Sequence, residues 1–199
     1  MNYPKFYDEV EVIKVKDELS NVLGTFQNGE YEFGYLDVVK SAGHSCPTVA
    51  GAYVMALQAL KALYPDKLPV RGDIKVEFKE SLEDGVAGVI GNVISQITGA
   101  TDKSGFKGLG GVFARHSLMF FDADINSSAR FTRVDTGKSV DVFYNPSSIT
   151  PDPNMQPLMQ KVMQKSATKD EFEEFGRLWQ DRVERICKNP DIVVEVREV

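Results

Sequence analysis

The stretch Ala129-Arg130-Phe131-Thr132-Arg133-Val134-Asp135-Thr136-Gly137-Lys138-Ser139-Val140-Asp141-Val142-Phe143-Tyr144 decides the fold class. Residues 129–134 and 139–144 carry apolar and β-branched residues at a period near two, and Asp135-Thr136-Gly137-Lys138 supplies turn chemistry between them. A tight turn joins strands antiparallel, whereas parallel strands need a long crossover. Consecutive hairpin strands in a chain that also carries helices point to α+β, with a mixed or antiparallel sheet packed against helices, and away from a doubly wound α/β sheet.

Upstream of the hairpin, Ile74, Val76 and Phe78 alternate with Lys75, Glu77 and Lys79, which predicts a half-buried strand. Before it, Cys46-Pro47-Thr48 opens a run in which Val49, Tyr53, Ala56, Leu57, Leu60 and Leu63 recur at helical spacing and which ends before Pro65. Proline suits the first helical position because its missing N–H has no intrahelical partner there. Ala50, Gly51 and Ala52 let another backbone approach this helix closely. Residues 86–98 predict a second helix and residues 10–15 a strand. A short helix is expected over 17–23, stopping at Gly24, while residues 31–40 fit neither pattern. Residues 99–111 form a glycine-rich loop, and 112–121 read as a strand.

Downstream, residues 145–157 hold four prolines and mark a linker. Helices follow over 158–165 and 170–188, the latter with Phe172, Phe175, Trp179, Val183 and Ile186 on one stripe that reads as core. Residues 192–196 close with a strand. The division expected is a core over 1–145, with 146–199 a Pro-rich linker and helix/strand extension packed on it as one structural domain.

The 199 residues carry 23 basic and 29 acidic side chains, a net charge of −6. That balance argues against a nucleic-acid partner, which needs clustered Lys and Arg to neutralise phosphates. No apolar run reaches the ~20 residues that span a bilayer, so no membrane is expected as a partner. Two cysteines make neither a disulfide framework nor a four-cysteine zinc site. With no export signal in the opening residues, the expectation is a cytoplasmic protein.

The chemistry concentrates in Gly43-His44-Ser45-Cys46-Pro47. Cys46 stands at the N-cap of the long helix, where unpaired backbone N–H groups and the helix dipole favour negative charge. His44 brings an imidazole to the same loop, an arrangement shared by metal ligation and covalent catalysis. The alternative is a cysteine serving as a small hydrophobe, with His44 on a loop carbonyl. His116 shares parity with Val112, Ala114, Leu118 and Phe120, so a regular strand would point it inward, toward either a metal or a protein partner. Cys187 reads as structural. Gly105, Gly108, Gly110 and Gly111 lack the Gly-Lys-Ser/Thr ending of a phosphate-binding loop and suit a lid instead. Arg130, Arg133 and Lys138 either meet an anion or form a solvated face.

With these residues in view, the chain resembles the FmdE family, named for formylmethanofuran dehydrogenase. That family carries a His-Gly-His-x-Cys-Pro tract opening a helix, matched here by Ala42-Gly43-His44-Ser45-Cys46-Pro47 except at the first histidine, with Gly51 following. Gln96-Ile97-Thr98-Gly99-Ala100-Thr101 matches a second family segment except at its cysteine, and the hairpin at 129–142 resembles the family's closing strands. The similarity spans roughly residues 40–144. It implies an α+β core, an intertwined homodimer, and a metal or reactive-cysteine cleft near the His/Cys tract. Ala42 and Ala100 mark a divergent site in which His116 takes the place of a lost ligand.

The leading expectation is therefore a metal-binding protein, with zinc held by His44, Cys46 and His116 and a fourth position open. Two others stand beside it. One is a metal-free enzyme with Cys46 as nucleophile and His44 as base. The other is an accessory module that binds a small molecule or cofactor.

Overall fold

The computed structural model describes residues 2–199. In chain order the elements are β1 (Ile13–Lys16), α1 (Glu18–Val22), β2 (Glu30–Phe33), α2 (Tyr35–Ala42), α3 (Pro47–Leu63), β3 (Ile74–Phe78) and α4 (Ala87–Thr98). There follow β4 (Met119–Phe120), β5 (Ala129–Arg133), β6 (Ser139–Tyr144), α5 (Met155–Met163), α6 (Lys169–Lys188), α7 (Pro190–Val193) and β7 (Val194–Glu198). The class is α+β.

Strands β5 and β6 pair antiparallel with Phe131 opposite Val140 and Ala129 opposite Val142, as the hairpin pattern predicts. They sit inside a five-stranded sheet of order β4-β3-β5-β6-β7, antiparallel except for the short parallel pair β3–β4. A separate antiparallel pair joins β1 to β2. On the large sheet Ile74, Val76, Phe78, Phe131, Val140 and Val142 are buried, so one face is apolar and carries the helices.

Helix α3 is the axis of the core. Its residues Val49 to Leu57 are all buried, as are Ala59, Leu60 and Leu63. A helix apolar on every side must be enclosed on every side. The sheet strands β5, β6 and β7 cover one flank, and α2, α4, α6 and α7 cover the rest. The C-terminal segment thus lies on the core: β7 pairs with β6, and Val183, Ile186, Cys187, Val193 and Val194 join the same apolar cluster as α3.

Two sequence expectations need correction, and one unassigned stretch is filled. Residues 31–40, unassigned by pattern, hold β2 and α2. The stripe on α6 is displaced: Leu178, Val183, Ile186 and Cys187 are buried while Phe172 is exposed. The strand expected over 112–121 shrinks to β4, because Phe113 and Ser117 adopt φ of 62° and 58°, outside the extended region. The segment before β4 bonds within its own loop instead, with Thr101 N–H and Oγ1–H both donating to Arg115 C=O at 2.9 and 2.8 Å.

Arg115, not His116, is the residue that points inward there. Its side chain reaches Asp17 at the corner of β1 and α1, Nη2 to Oδ1 at 2.6 Å. Asp17 is 3% exposed and accepts from five groups: Leu19 N–H and Ser20 N–H as the cap of α1, Tyr31 O–H, Arg71 and Arg115. Arg115 also donates from Nη1 to Arg71 C=O and packs in the space that a side chain at Gly72 would fill. One carboxylate thereby fastens the 99–118 loop to the corner between β1 and α1.

Candidate functional site

Helix α2 stops at Gly43, whose φ of 75° suits glycine, and its N–H closes on Val39 C=O at 2.9 Å. The chain then needs three residues to turn into α3. Cys46 is extended and caps that helix, its Sγ accepting Val49 N–H at 3.4 Å, and Pro47 takes the first helical position. The capping read from the sequence is present.

Ser45 locks the loop from behind. Its Oγ bonds Tyr35 Oη at 2.9 Å, and its C=O accepts from Trp179 Nε1–H at 3.0 Å and Gln180 Nε2–H at 3.3 Å. Tyr7 O–H in turn donates to Gln180 Oε1 at 3.0 Å. Burial pushes the Tyr35 hydroxyl well above the ordinary phenol range, with the Ser45 bond opposing the shift. The residues preceding Cys46 are therefore held by α2, the N-terminal segment and α6. Replacing Trp179 with Phe removes one of two donors to Ser45 C=O and is expected to lower stability by about 1 kcal/mol. The check is a lower urea midpoint at unchanged m value.

On the other side of Cys46, Tyr144 closes over the first turn of α3. Its O–H donates to Pro47 C=O at 2.6 Å, and its ring lies where a Cβ at Gly51 would be. Beside this contact is a cleft of about 320 Å3 lined by Pro47, Thr48, Phe78, Ala87, Ser128 and Tyr144 among others. The amino ends of α3 and α4 both border it. A volume of this size suits a small ligand.

The two histidines lie elsewhere. His44 is exposed, and its Nδ1 meets Ala42 C=O at 3.0 Å, so that nitrogen carries the proton. Its ring borders a different hollow, of about 450 Å3, shared with Val89, Asn92 and Gln96 of α4. His116 is half-buried in the irregular segment, with Nδ1 3.0 Å from the Oγ of its neighbour Ser117. Among the described residues, neither ring hydrogen-bonds Cys46. Cys187 is 7% exposed, and burial pushes its thiol up to about 12, as suits a structural cysteine.

Zinc needs three or four donors within about 2.0–2.3 Å of one point. Among the described residues, no three His, Cys, Asp or Glu side chains form a group able to hold a metal ion. His44, Cys46 and His116 thus form no such group, and the zinc expected from the sequence finds no three-donor site of this kind among the described residues. Arg130 and Arg133 are also spoken for: Arg130 forms a two-point pair with Asp141 at 2.8 and 2.9 Å, and Arg133 pairs with Asp135 and lies 4.3 Å from the Tyr64 ring centroid. Lys138 bonds Ala62 C=O and Glu198.

A model of the FmdE family, described as "Molybdenum formylmethanofuran dehydrogenase operon", matches residues 42–194. The chain belongs to the FmdE family. The match continues well past the hairpin, so the region read as an extension to an FmdE core falls largely within the FmdE match itself. A solved structure similar to this chain is that of a tungsten formylmethanofuran dehydrogenase FmdE-like protein from Syntrophus aciditrophicus, 15% identical, covering 84% of this chain and 72% of that one at a TM-score of 0.42. No curated protein matches the chain. No helix among the described residues is long and apolar enough to cross a membrane.

Sequence reasoning missed Tyr144, Ser45 and Trp179 as parts of this candidate site. Gly51 was a signal for the first, since a glycine inside a helix marks close approach, but nothing in the pattern named the residue that approaches.

Proposed function

We propose that this FmdE-family chain binds a small molecule in the cleft at the amino end of α3, with Cys46 as the reactive group at its edge. The observation that carries the reading is the Tyr144–Gly51–Pro47 contact, which shapes a cleft at the family's own Cys-Pro helix start. Cys46 is half-buried rather than sealed, and its sulfur accepts one helix N–H. His44 faces the hollow beside α4, so the reading gives it no role as base to Cys46. Zinc held by His44, Cys46 and His116 is not favoured by this geometry. A reducing compartment, which keeps Cys46 and Cys187 as free thiols, and the homodimer that the family resemblance implies belong to the same proposal.

Alkylation tests it. Iodoacetamide applied to native protein, followed by peptide mass spectrometry, is expected to modify Cys46 and to leave Cys187 untouched until denaturant is added. One fraction of a small-molecule cell extract is expected to slow that reaction in the wild type but not in Thr48→Phe, which fills the cleft. The proposal fails if Cys46 reacts no faster than Cys187, or if every fraction acts equally on both proteins. One equivalent of zinc that survives dialysis against EDTA and blocks Cys46 would restore the metal reading.

A further inference from the structure

A second cavity, of about 390 Å3, lies away from Cys46, between Glu18, the turn carrying Arg71, Gly72 and Asp73, the Arg115 segment and Val134. We infer that it is a binding site for a zwitterion, an apolar α-amino acid whose carboxylate meets Arg115 and whose ammonium meets Asp73. Arg115 supplies the first observation. Its side chain is 8% exposed, Nη1 and Nη2 are engaged, and Nε–H is buried without an acceptor. Buried donors in folded proteins are almost always paired, and this orphan belongs to a side chain that lines the cavity, so a small outward shift of the guanidinium would offer it to an acceptor there. Charge supplies the second: Arg71 and Arg115 share the single carboxylate of Asp17, leaving one positive charge in excess on the inner wall.

The rim has the opposite sign. Asp73 is exposed, and its carboxylate has no hydrogen bond or ion pair among the described residues. Although the residue as a whole is exposed, its carboxyl is partly covered, and this partial burial and then the charge of Asp135 push it above the usual range, with Arg115 opposing. Glu18, the other rim acid, is already paired with Lys16 at 2.7 Å. A simple anion would have to sit between these acids, and a simple cation would have to face the guanidiniums. A molecule carrying both charges satisfies both walls. Val112 and Val134, each more than half exposed, and Leu118 offer apolar surface for its side chain.

Calorimetric titration with L-valine, L-leucine, L-isoleucine and L-methionine tests the assignment. At least one is expected to bind, and its amide, lacking the carboxylate, and its N-acetyl derivative, lacking the ammonium, to bind at least tenfold more weakly. Asp73→Asn is expected to weaken binding at least tenfold with an unchanged melting temperature, since that carboxylate holds no protein group. Thr48→Phe, which fills the cleft beside Cys46, is expected to have no effect, so the two sites stand or fall separately. The inference is overturned if none of the four binds at millimolar concentration, if the N-acetyl form or inorganic phosphate binds as well as the free amino acid, or if Asp73→Asn changes nothing.

Discussion

Asp17→Ala is expected to destabilise the protein by about 3–5 kcal/mol, the usual cost of removing one partner from a buried ion pair. The carboxylate is 3% exposed and is the shared counter-charge of Arg71 and Arg115, so its loss leaves two guanidiniums facing each other without it. It also uncaps α1, leaving Leu19 N–H and Ser20 N–H without an acceptor. Folded domains have only about 5–15 kcal/mol in hand, so the variant should unfold at far lower urea than the wild type. Asp17→Asn keeps a capping oxygen but not the charge and should fall between them. A loss below about 1 kcal/mol for Asp17→Ala would mean that Arg115 swings out to solvent, and that the triad does not hold the 99–118 loop.

The same residue predicts the acid limb of stability. Burial raises the Asp17 carboxyl, but Arg115, the Ser20 N–H and Arg71 together outweigh it and hold the folded group below its usual range. A carboxylate whose folded pKa is depressed contributes stability that is complete above its unfolded value of ~3.9 and is lost as pH falls through the folded value. The wild type should therefore lose stability below about pH 4 more steeply than Asp17→Ala. At neutral pH the contribution is whole in the wild type and absent in the variant.

What the sequence could disclose follows the range of the interactions. The β5–β6 hairpin, α3 and α4 were legible because their signals are local: alternation, turn residues, a proline at the first helical position. β2 and α2 were not: Glu30-Tyr31-Glu32-Phe33 alternates, but over only four residues, and α2 begins after the single residue Gly34, so neither pattern runs long enough by itself to be told from the other. The segment before β4 misled for a different reason. One parity there is apolar apart from His116 (Val112, Ala114, Leu118, Phe120), yet Arg115 is drawn inward by a carboxylate 98 positions upstream, and the backbone yields at Phe113 and Ser117. No window around His116 contains Asp17. The candidate site divides the same way: Cys46 at a helix start was readable from its immediate neighbours, while the packing of Tyr144 over Pro47 and the grip of Trp179 on Ser45 join residues 97 and 134 positions apart.

Gly51→Ala should show how tightly that distant packing is specified. In an open helix, alanine in place of glycine stabilises by about 1 kcal/mol, because glycine gives up more conformational freedom on folding. Here the sign should reverse. The new Cβ would overlap the Tyr144 ring, which is pinned by its O–H bond to Pro47 C=O and by its place at the end of β6. Either the ring is expelled, losing the bond and opening the cleft, or α3 shifts away from the sheet; overpacking of this kind costs about 1–3 kcal/mol. Tyr144→Ala removes the obstacle, so Gly51→Ala introduced into that background should be neutral or stabilising. The double-mutant cycle thus predicts a coupling between positions 51 and 144 of at least about 1–2 kcal/mol, read from urea midpoints, on the order found for residues in contact. If Gly51→Ala stabilises the wild type, the ring does not rest on α3, and the cleft beside Cys46 has a different wall. If it destabilises both backgrounds equally, position 51 meets something other than Tyr144. Only a sign that depends on residue 144 fits the packing described. The same variants then test the proposed function: Tyr144 and Pro47 line the cleft and Cys46 immediately precedes Pro47, so on that reading Gly51→Ala should alter the rate at which iodoacetamide reaches the Cys46 sulfur.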